Sequence, residues 1–540
     1  MKLSSLAAAF AALCLGLSLS AKTLTPQEKA SEFQGLANTI RSQYGPYTYK
    51  QGHLKLDLDK LVADYSREAA TGTNLAFYYL INRFVAEFQD SHFGSRLNTT
   101  HESTLGIVPE LVDGKLYVDS INHRLVPFTA GIRIGDEIVS LDGTPAQDVI
   151  TDLARFVPAG YSGTARRLAA YLVTHRPSTL VPAPTGGTAK LVLRRPATPE
   201  PKVFDVELSW HEQGEPLLDD DRRETEPEWA AGGASFRPDY LSLSIEDVYR
   251  DIPRTERSFR CSGGTRIAIP EGARILLPRP FVAYVHPTPK GNIGYLRIPH
   301  YSWTNPVTGA DESDLRFQQY EWVIDQLEKD TVGLVIDQDH NCGGSVFFLE
   351  RMVSLFAHKP FHGLNFQFLA TRNEYLTFKA WSGGEAATTL AGAGLTEVLE
   401  TIRTAWMLGK PLSEKTSFRG SQLIAPNSVR YTKPIVMLID ELSGSGGDAF
   451  PGMLQGLGRA KLLGTRTMGA GGHVVAIPPL GYSANQLRIT KSLFYHPNGT
   501  AIENNGVTPD VPYTITRKDF LDGYRDYQKT YLKELAALIP

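Results

Sequence analysis

The stretch IVMLIDELSGSGGDAF, residues Ile435–Phe450, decides the fold of the C-terminal half of this 540-residue chain. Its first five residues are a continuous apolar run, which is typical of a strand buried on both faces of a sheet. A glycine-rich turn follows, and apolar residues at helical spacing resume through Met453, Leu454 and Leu457. The pattern therefore predicts Ser445 near a helix N-terminus, where free backbone N–H groups and the helix dipole favour negative charge.

A nucleophilic serine needs this environment, because it requires an exposed hydroxyl, room for a carbonyl group and backbone donors for the resulting oxyanion. The same stretch is also compatible with an ordinary strand–loop–helix corner that carries no chemistry. The rest of the chain has to provide a base before the serine can be interpreted as a nucleophile.

Strand and helix patterns alternate around this stretch, which predicts an α/β core over residues 283–540 with a largely parallel sheet. The predicted elements before it are the strand Ile293–Ile298, the helix Phe317–Leu327, the strand Val332–Asp337 and the helix Phe347–Phe356. A strand at Lys461–Gly464 follows it. Residues 359–430 interrupt the alternation and are interpreted as a cap.

The N-terminal half divides into four segments. Residues 1–21 begin with a positive charge and an Ala/Leu run ending in small residues, which is typical of a secretory signal peptide. Residues 22–103 have apolar residues at spacings of three and four and are predicted to be helical. Residues 104–215 show short strands with turn signals, and residues 216–282, acidic and then Gly/Pro-rich, are interpreted as an insertion or linker.

Composition excludes some classes of function. The formal net charge of −3 argues against a nucleic-acid-binding protein, and no later stretch has the roughly 20 apolar residues of a membrane span. The leader favours a soluble exported (periplasmic or secreted) protein over a lipoprotein, because Leu13 stands directly before Cys14 where a lipidated cysteine has a small residue. After its removal Cys261 and Cys342 remain, and we expect two free thiols in preference to one disulfide. No metal-ligand spacing or phosphate-binding loop occurs, so no cofactor is expected.

The segment AGIRIGDEIVSLDG, Ala130–Gly143, resembles a PDZ domain. PDZ domains bind an extended peptide as an added strand at a sheet edge. Leu105, Gly106 and Ile107 stand where such domains keep the loop that receives a peptide's terminal carboxylate. The alternative is a small β domain without a ligand.

Four motifs, in this order, resemble those of the C-terminal-processing and tricorn-type serine peptidases. They are Asp337 with the turn Asn341–Gly344, the nucleophile turn Ser443–Asp448, the segment Gly464–Gly469, and Glu503 with Gly506–Asp510. The resemblance covers most of the mature chain. It implies a catalytic core related to crotonase and Clp protease, with a helical N-terminal region and a PDZ-like β domain.

One departure bears on the mechanism that the resemblance implies. C-terminal-processing peptidases have a lysine base where this chain has Ala470, and a methyl group cannot accept a proton. Lys491 matches a different position of the family. Tricorn-type enzymes use a serine nucleophile, a histidine base, the serine beside it and a glutamate, which correspond here to the set Ser445, His92, Ser91 and Glu503.

The resemblance also implies an oxyanion hole made by the backbone N–H of Gly446 with that of Gly343 or Gly344. Without the resemblance, His92 at the end of a helical stripe is more typical of a structural histidine. His473, after a glycine-rich loop, is the rival base.

The leading hypothesis is an exported serine endopeptidase whose PDZ-like domain binds or gates a peptide or protein substrate. The first alternative is a non-catalytic ligand-binding protein on the same scaffold, since fold alone does not fix function. A PDZ scaffold that assembles partners is weaker, because it leaves the α/β half unexplained. Whether the chain forms a homo-oligomer stays open.

Overall fold

Four helices open the part of the chain that the computed structural model describes, which comprises residues 23–196, 200–216, 267–305, 308–382 and 390–540. They are α1 (Pro26–Gln43), α2 (Tyr47–Leu54), α3 (Leu58–Ala69) and α4 (Asn74–Ala86). Thr73 caps α4 by accepting the Ala76 N–H at 3.2 Å. The apolar stripe of α4, including Phe77, Ile81 and Val85, is buried, as its spacing predicts.

A β domain follows the helices. After the short strands β1 (Gly94–Arg96) and β2 (Glu102–Thr104), its sheet contains β3 (Ile107–Val112), β4 (Lys115–Ile121), β5 (Glu137–Leu141), β6 (Thr144–Pro145), β8 (Thr188–Arg195) and β9 (Lys202–Ser209). Helices α5 (Ala146–Ala154) and α6 (Ser162–Leu172) lie between β6 and β8 in sequence. Strands β7 (His175–Pro177) and β10 (His211–Gln213) flank β2 in a separate sheet. Along the order β3-β4-β5-β8-β9, β3 forms one edge.

The C-terminal half contains the remaining strands. They are β11 (Arg274–Leu277), β12 (Ala283–Thr288), β13 (Gly291–Arg297), β14 (Gly333–Asp337), β15 (Phe361–His362), β16 (Asn365–Phe368), β17 (Thr416–Ser417), β18 (Leu423–Ile424), β19 (Ile435–Ile439), β20 (Lys461–Gly464), β21 (Val474–Ile477), β22 (Gln486–Thr490), β23 (Ser492–Tyr495) and β24 (Val511–Pro512). Its helices are α7 (Ser313–Asp330), α8 (Val346–Ser354), α9 (Arg372–Ser382), α10 (Leu390–Met407), α11 (Gly446–Gly456), α12 (Arg517–Asp522) and α13 (Arg525–Ala536).

The central sheet has the order β11-β12-β13-β14-β19-β20-β24 and is parallel from β13 to β24. Every residue of β14 and β19 is buried, as expected for parallel strands covered on both faces. Apolar residues of α7, α8 and α11 pack on one face, and those of α13 pack on the other. This arrangement confirms the α/β prediction for the core.

One small sheet joins the N-terminal half to the C-terminal half. Strand β1 pairs antiparallel with β22, which pairs with β21. One buried apolar cluster also includes residues of the helices, of the β domain and of the region around Ser445, among them Leu442, Met468 and Ala470. The turn that precedes β1 is thus fixed against the C-terminal half of the chain.

Some predicted segments differ from the structure or lie outside it. Strand β11 belongs to the central sheet although it falls in the predicted linker, so the sheet begins before residue 283. Residues 359–430 contain helices α9 and α10 and strands of which β16 pairs with β23. The predicted signal peptide and residues 217–266 lie outside the described residues. Within the described ranges, no helix combines the length and apolar character that crossing a membrane requires.

A buried ion pair at the end of β14 gives a stability prediction. Asp337 Oδ1 accepts a bond from Arg297 at 3.0 Å, and both side chains are almost fully buried. Replacing Asp337 by alanine removes the carboxylate that pairs with this buried guanidinium, so the free energy of unfolding should fall by about 3–5 kcal/mol in urea unfolding. The control is Glu414→Ala, which breaks the exposed Lys410–Glu414 pair and should leave the unfolding midpoint unchanged. Equal effects of the two changes would contradict the structural role of Asp337.

Candidate active site

Ser445 lies in the turn between β19 and α11, as the sequence predicts. Its backbone has φ 58° and ψ −115°, a strained conformation for a non-glycine residue, and α11 begins at the next residue. Ser443 Oγ lies 2.8 Å from the Gln338 carbonyl oxygen and 2.9 Å from Asp440 Oδ1, and these two acceptors share its single hydroxyl proton. The Ser445 hydroxyl has no hydrogen bond to another described residue. The turn therefore uses Ser443 for structure and leaves Ser445 available for chemistry.

The predicted oxyanion-hole glycines surround Ser445. A Cβ atom on Gly343 would lie 2.6 Å from Ser445 Cβ, so only glycine allows this approach. The Gly343 N–H donates to Asn341 Oδ1 at 2.8 Å. The N–H groups of Gly344 and Gly446 have no acceptor among the described residues, and Gly446 is the first residue of α11. Of the two predicted alternatives beside Gly446, Gly344 has the available donor.

A cavity opens at Ser445, Gly344 and Gly446. Its wall is mainly aliphatic and aromatic: Val346, Leu349, Leu364, Phe366, Val474 and Phe494. His473 contributes the imidazole of this wall. Burial of apolar surface would favour an apolar side chain against this wall, beside the serine hydroxyl.

His92 lies in a buried turn before β1. Its backbone N–H donates to Asp90 Oδ1 at 2.8 Å, and Asp90 Oδ2 accepts bonds from Tyr44 and Thr490. Both ring nitrogens of His92 are buried without a hydrogen-bond partner among the described residues. Burial, with smaller effects of Arg488 and His473, lowers the pKa of His92 to about 4 against the opposing effect of Asp90. The imidazole is neutral near pH 7 and able to accept a proton.

The structure does not form the expected contact between Ser91 and Glu503. The Ser91 hydroxyl is buried without a partner in the described part of the chain. Glu503 Oε1 accepts a bond from Lys50, and Oε2 accepts the Gly471 N–H at 2.8 Å. Burial, and secondarily the charge of Asp90, raises the pKa of Glu503 to about 8 although Lys50 favours the carboxylate.

His473, the rival base, is engaged at both ring nitrogens. Nδ1 lies 2.8 Å from Ser492 Oγ, and Nε2 lies 3.2 Å from Glu374 Oε1. All three side chains are buried. His473 therefore lines the Ser445 cavity, but it would have to give up the Glu374 or the Ser492 contact before accepting a proton from Ser445.

The structure also shows the surroundings of Ala470, where the family has its lysine base, and of Lys491. Ala470 is buried, and its N–H donates to Asp448 Oδ2 at 3.0 Å, so the family's lysine position holds only a methyl group. Lys491 Nζ donates to Gln43 Oε1 at 3.1 Å, and burial lowers its pKa. Among described residues, no group of three or more His, Cys, Asp or Glu side chains could hold a metal ion.

The loop predicted to receive a peptide carboxylate has its backbone N–H groups bonded within the β domain. Leu105, Gly106 and Ile107 are buried. The Leu105 N–H donates to the Thr174 carbonyl at 2.9 Å, and the Gly106 N–H donates to Thr104 Oγ1 at 3.1 Å. In this conformation neither N–H is available to a carboxylate, so peptide binding at these residues stays a prediction and requires the loop to open.

The expectation of a free thiol at Cys342 is wrong. Cys342 is disulfide-bonded, and its partner lies outside the described residues. Nothing in the spacing of the cysteines indicated the bond. Because Cys342 directly precedes Gly343, the disulfide constrains the loop that faces the nucleophile.

Sequence reasoning did not find three groups near the site. Asp90 accepts the His92 backbone N–H, and Lys50 donates to Glu503. Arg167 of α6 binds Asp440 at 3.0 Å and Glu441 at 3.2 Å, shortly before Ser445 in the chain. The Lys50 and Arg167 contacts join residues far apart in sequence. Only Asp90 carried a signal, its position directly before Ser91-His92.

Comparison with known families agrees with this site. Residues 292–513 match the model of peptidase family S41, and residues 101–217 match the model of a PDZ domain. Residues 292–513 are thus similar to peptidase family S41, and the chain is a serine-type peptidase. The four motifs that resemble the family fall in this part of the chain, which carries Ser445.

The chain has a relative that matches over nearly its full length, and another that matches over a short part of it. An uncharacterized protein of Chlamydia muridarum (strain MoPn / Nigg) is 26% identical over 590 residues, covering 96% of this chain and 94% of the relative. A carboxy-terminal-processing protease of Bartonella bacilliformis is 38% identical over 98 residues, 18% of this chain and 21% of that protein. The structure of mature CPAF complexed with lactacystin has a TM-score of 0.77 and 23% identity, covering 95% of this chain and 99% of that one. This last likeness concerns the fold.

The Gly343 contact gives a test of the turn that carries Ser445. Gly343→Ala places a methyl group 2.6 Å from Ser445 Cβ, whereas Gly409→Ala meets no atom within 4 Å at a similar φ, 69° against 73°. Both changes strain the backbone by roughly 1–2 kcal/mol. Only Gly343→Ala should slow labelling of Ser445 by a fluorophosphonate, by about 100-fold. Equal labelling of the two variants would show that Gly343 does not shape the site.

Proposed function

We propose that this chain is a serine endopeptidase in which Ser445 is the nucleophile and His92 the general base. The observation that carries the proposal is the Ser445 turn: an uncommitted hydroxyl at a helix N-terminus, facing an apolar cavity and two unused backbone donors. The neutral, unpartnered imidazole of His92 supports the second assignment.

The reaction proceeds through a covalent intermediate. Ser445 Oγ attacks the peptide carbonyl while His92 accepts the hydroxyl proton, and the N–H groups of Gly446 and Gly344 stabilise the oxyanion. The peptide C–N bond then breaks as His92 returns the proton to the leaving amine. Water, activated by the same imidazole, attacks the acyl-enzyme, and release of the acid restores Ser445.

Ser91 and Glu503 act on the imidazole in this proposal. Ser91 orients the ring, and the Glu503 carboxylate stabilises the imidazolium that forms during the reaction. The Ser445–His92 and Ser91–Glu503 bonds form when substrate fills the cavity, because catalytic hydrogen bonds are often long or absent before a complex assembles. The buried Ser91 hydroxyl without a described partner supports this step.

The substrate is a peptide or protein with an apolar side chain next to the cleaved bond. The aliphatic and aromatic wall beside Ser445 supports this preference. The PDZ-like domain binds or gates the substrate, with the edge strand β3 as the place for an added strand. The contacts of Arg167 with Asp440 and Glu441 give that domain a direct link to the nucleophile turn. Export of the mature chain is the expectation from its leader.

Labelling of the mature protein with a fluorophosphonate probe tests the nucleophile. The unmodified protein should label, and Ser445→Ala should not, whereas Ser443→Ala should retain labelling if it folds. Labelling of Ser445→Ala at the full rate would remove Ser445 from the role. A protein that cleaves no peptide in a library yet retains a ligand would instead be a binding protein on this scaffold.

The choice of base is tested by a matched pair of histidine variants. His92→Gln should lower kcat by a factor on the order of 10⁴ with an unchanged fold, because no other group accepts the Ser445 proton. His473→Gln retains an amide for the contacts with Ser492 and Glu374 and should lower kcat less than about tenfold. The reverse ranking in peptide-cleavage assays would assign the base to His473.

The pH dependence of kcat/KM follows from Glu503. Because its pKa is raised to about 8 and the carboxylate is the form that stabilises an imidazolium, kcat/KM should rise with pH to a plateau above about 8. The pKa of His92, about 4, lies too low to set this rise, the acid limb of the pH profile. Glu503→Gln should lower the plateau and remove the limb. A limb that persists unchanged in Glu503→Gln would contradict the role.

A further inference from the structure

Helix α2 inserts a lysine into the region of the site. The Lys50 side chain is fully buried, and its ammonium donates to Glu503 Oε1, to Asn504 Oδ1 at 2.7 Å and to the Gln89 carbonyl at 2.9 Å. The preceding residue, Tyr49, donates its hydroxyl to the Glu503 carbonyl at 2.7 Å. One turn of α2 therefore holds the segment that carries the proposed glutamate.

The acceptors of Lys50 belong to two different segments. Gln89 stands three residues before His92, and Asn504 follows Glu503. Both adopt the left-handed conformation that non-glycine residues rarely use, with φ 47° and 59°. Asn504 Nδ2 also donates to the Gln89 carbonyl at 2.8 Å. Lys50 thus lies at the junction of the histidine turn and the glutamate turn, and satisfies an acceptor on each.

We propose that Lys50 is a positioning residue for peptide hydrolysis, holding the Glu503 carboxylate and the Gln89 carbonyl together so that Glu503 can act on the Ser91-His92 turn. This inference rests on the proposed function of the four catalytic residues. It adds a cation from the N-terminal helices to a mechanism otherwise built from Ser445, His92, Ser91 and Glu503.

Charge around Glu503 explains why a lysine is needed there. The titratable groups with the largest effects on Glu503, or affected by it, are Lys50 of α2, Asp90 of the histidine turn, and Tyr44 and Tyr49. Lys50 is the cation among these four, and the charge of Asp90 opposes ionisation of Glu503. Arg466 is a further cation on this side, but its guanidinium donates to the carbonyl of the neighbouring Asn504. A buried carboxylate that loses its cation takes up a proton instead of remaining charged.

The test compares two buried lysines of the N-terminal helices. Lys50→Met should lower kcat about 100-fold with KM within about threefold of the unmodified value, because Glu503 is displaced and protonated. The acid limb of kcat/KM should move to higher pH by at least about one unit. Lys29 is the control: it is also buried, but its ammonium donates to the Gly72 and Thr73 carbonyls. Lys29→Met should shift thermal unfolding while leaving kcat and the pH profile unchanged.

A double-mutant cycle separates positioning from a purely structural role. If Lys50 acts through Glu503, Lys50→Met should have little further effect on kcat in the Glu503→Gln background, within about threefold. This comparison also decides the proposal if Lys50→Met alone fails to fold, since the double variant carries no unpaired charge at this pair.

Three results would overturn the inference. They are an unchanged kcat and acid limb in Lys50→Met, a further large loss of kcat on adding Lys50→Met to Glu503→Gln, or an equal loss of kcat in Lys29→Met. Fluorophosphonate labelling is measured first on the unmodified protein. If Ser445 does not label, the proposed function itself fails, and the role of Lys50 fails with it.

Discussion

The antiparallel pairing of β1 with β22 is the constraint on which the site depends. It ties the residues just after His92 to a strand of the catalytic half, with Gly94 opposite Arg488. Thr490, at the end of β22, binds the Asp90 carboxylate that also holds the His92 backbone. His92, which comes early in the chain, is thereby fixed near residues 469–473. This segment contains Ala470, at the family's lysine position, and His473, which lines the Ser445 cavity.

Burial of ionisable groups sets the electrostatic character of this region. His92 is held neutral and Glu503 favours its protonated form, because each has lost its water shell. These states are opposite to the imidazolium and carboxylate that the proposed reaction needs together. Substrate binding therefore has to provide part of the free energy that stabilises these two charged forms. The buried Lys50–Glu503 pair lowers the amount needed, because Lys50 favours the Glu503 carboxylate.

Long apolar runs made the catalytic core predictable from the sequence. The runs at Gly333–Asp337 and Ile435–Ile439 are buried on both faces, and the glycines after the second run required a turn before α11. Strand β11 escaped prediction, because its four residues are half exposed or more and lie in a region without periodicity. The partner of Glu503 also escaped, since Lys50 is 453 residues away and α2 gives no pattern that distinguishes it. The disulfide at Cys342 depends on three-dimensional proximity that cysteine spacing does not encode.

The most direct measurement is a crystal structure of the chain phosphonylated at Ser445, in which the identity of the imidazole beside the serine oxygen can be read. The account predicts Nε2 of His92 within about 2.6–3.2 Å of Ser445 Oγ or of the bound phosphonate, with His473 still on Glu374. An imidazole of His473 at that distance, with His92 remaining enclosed and apart, would contradict it.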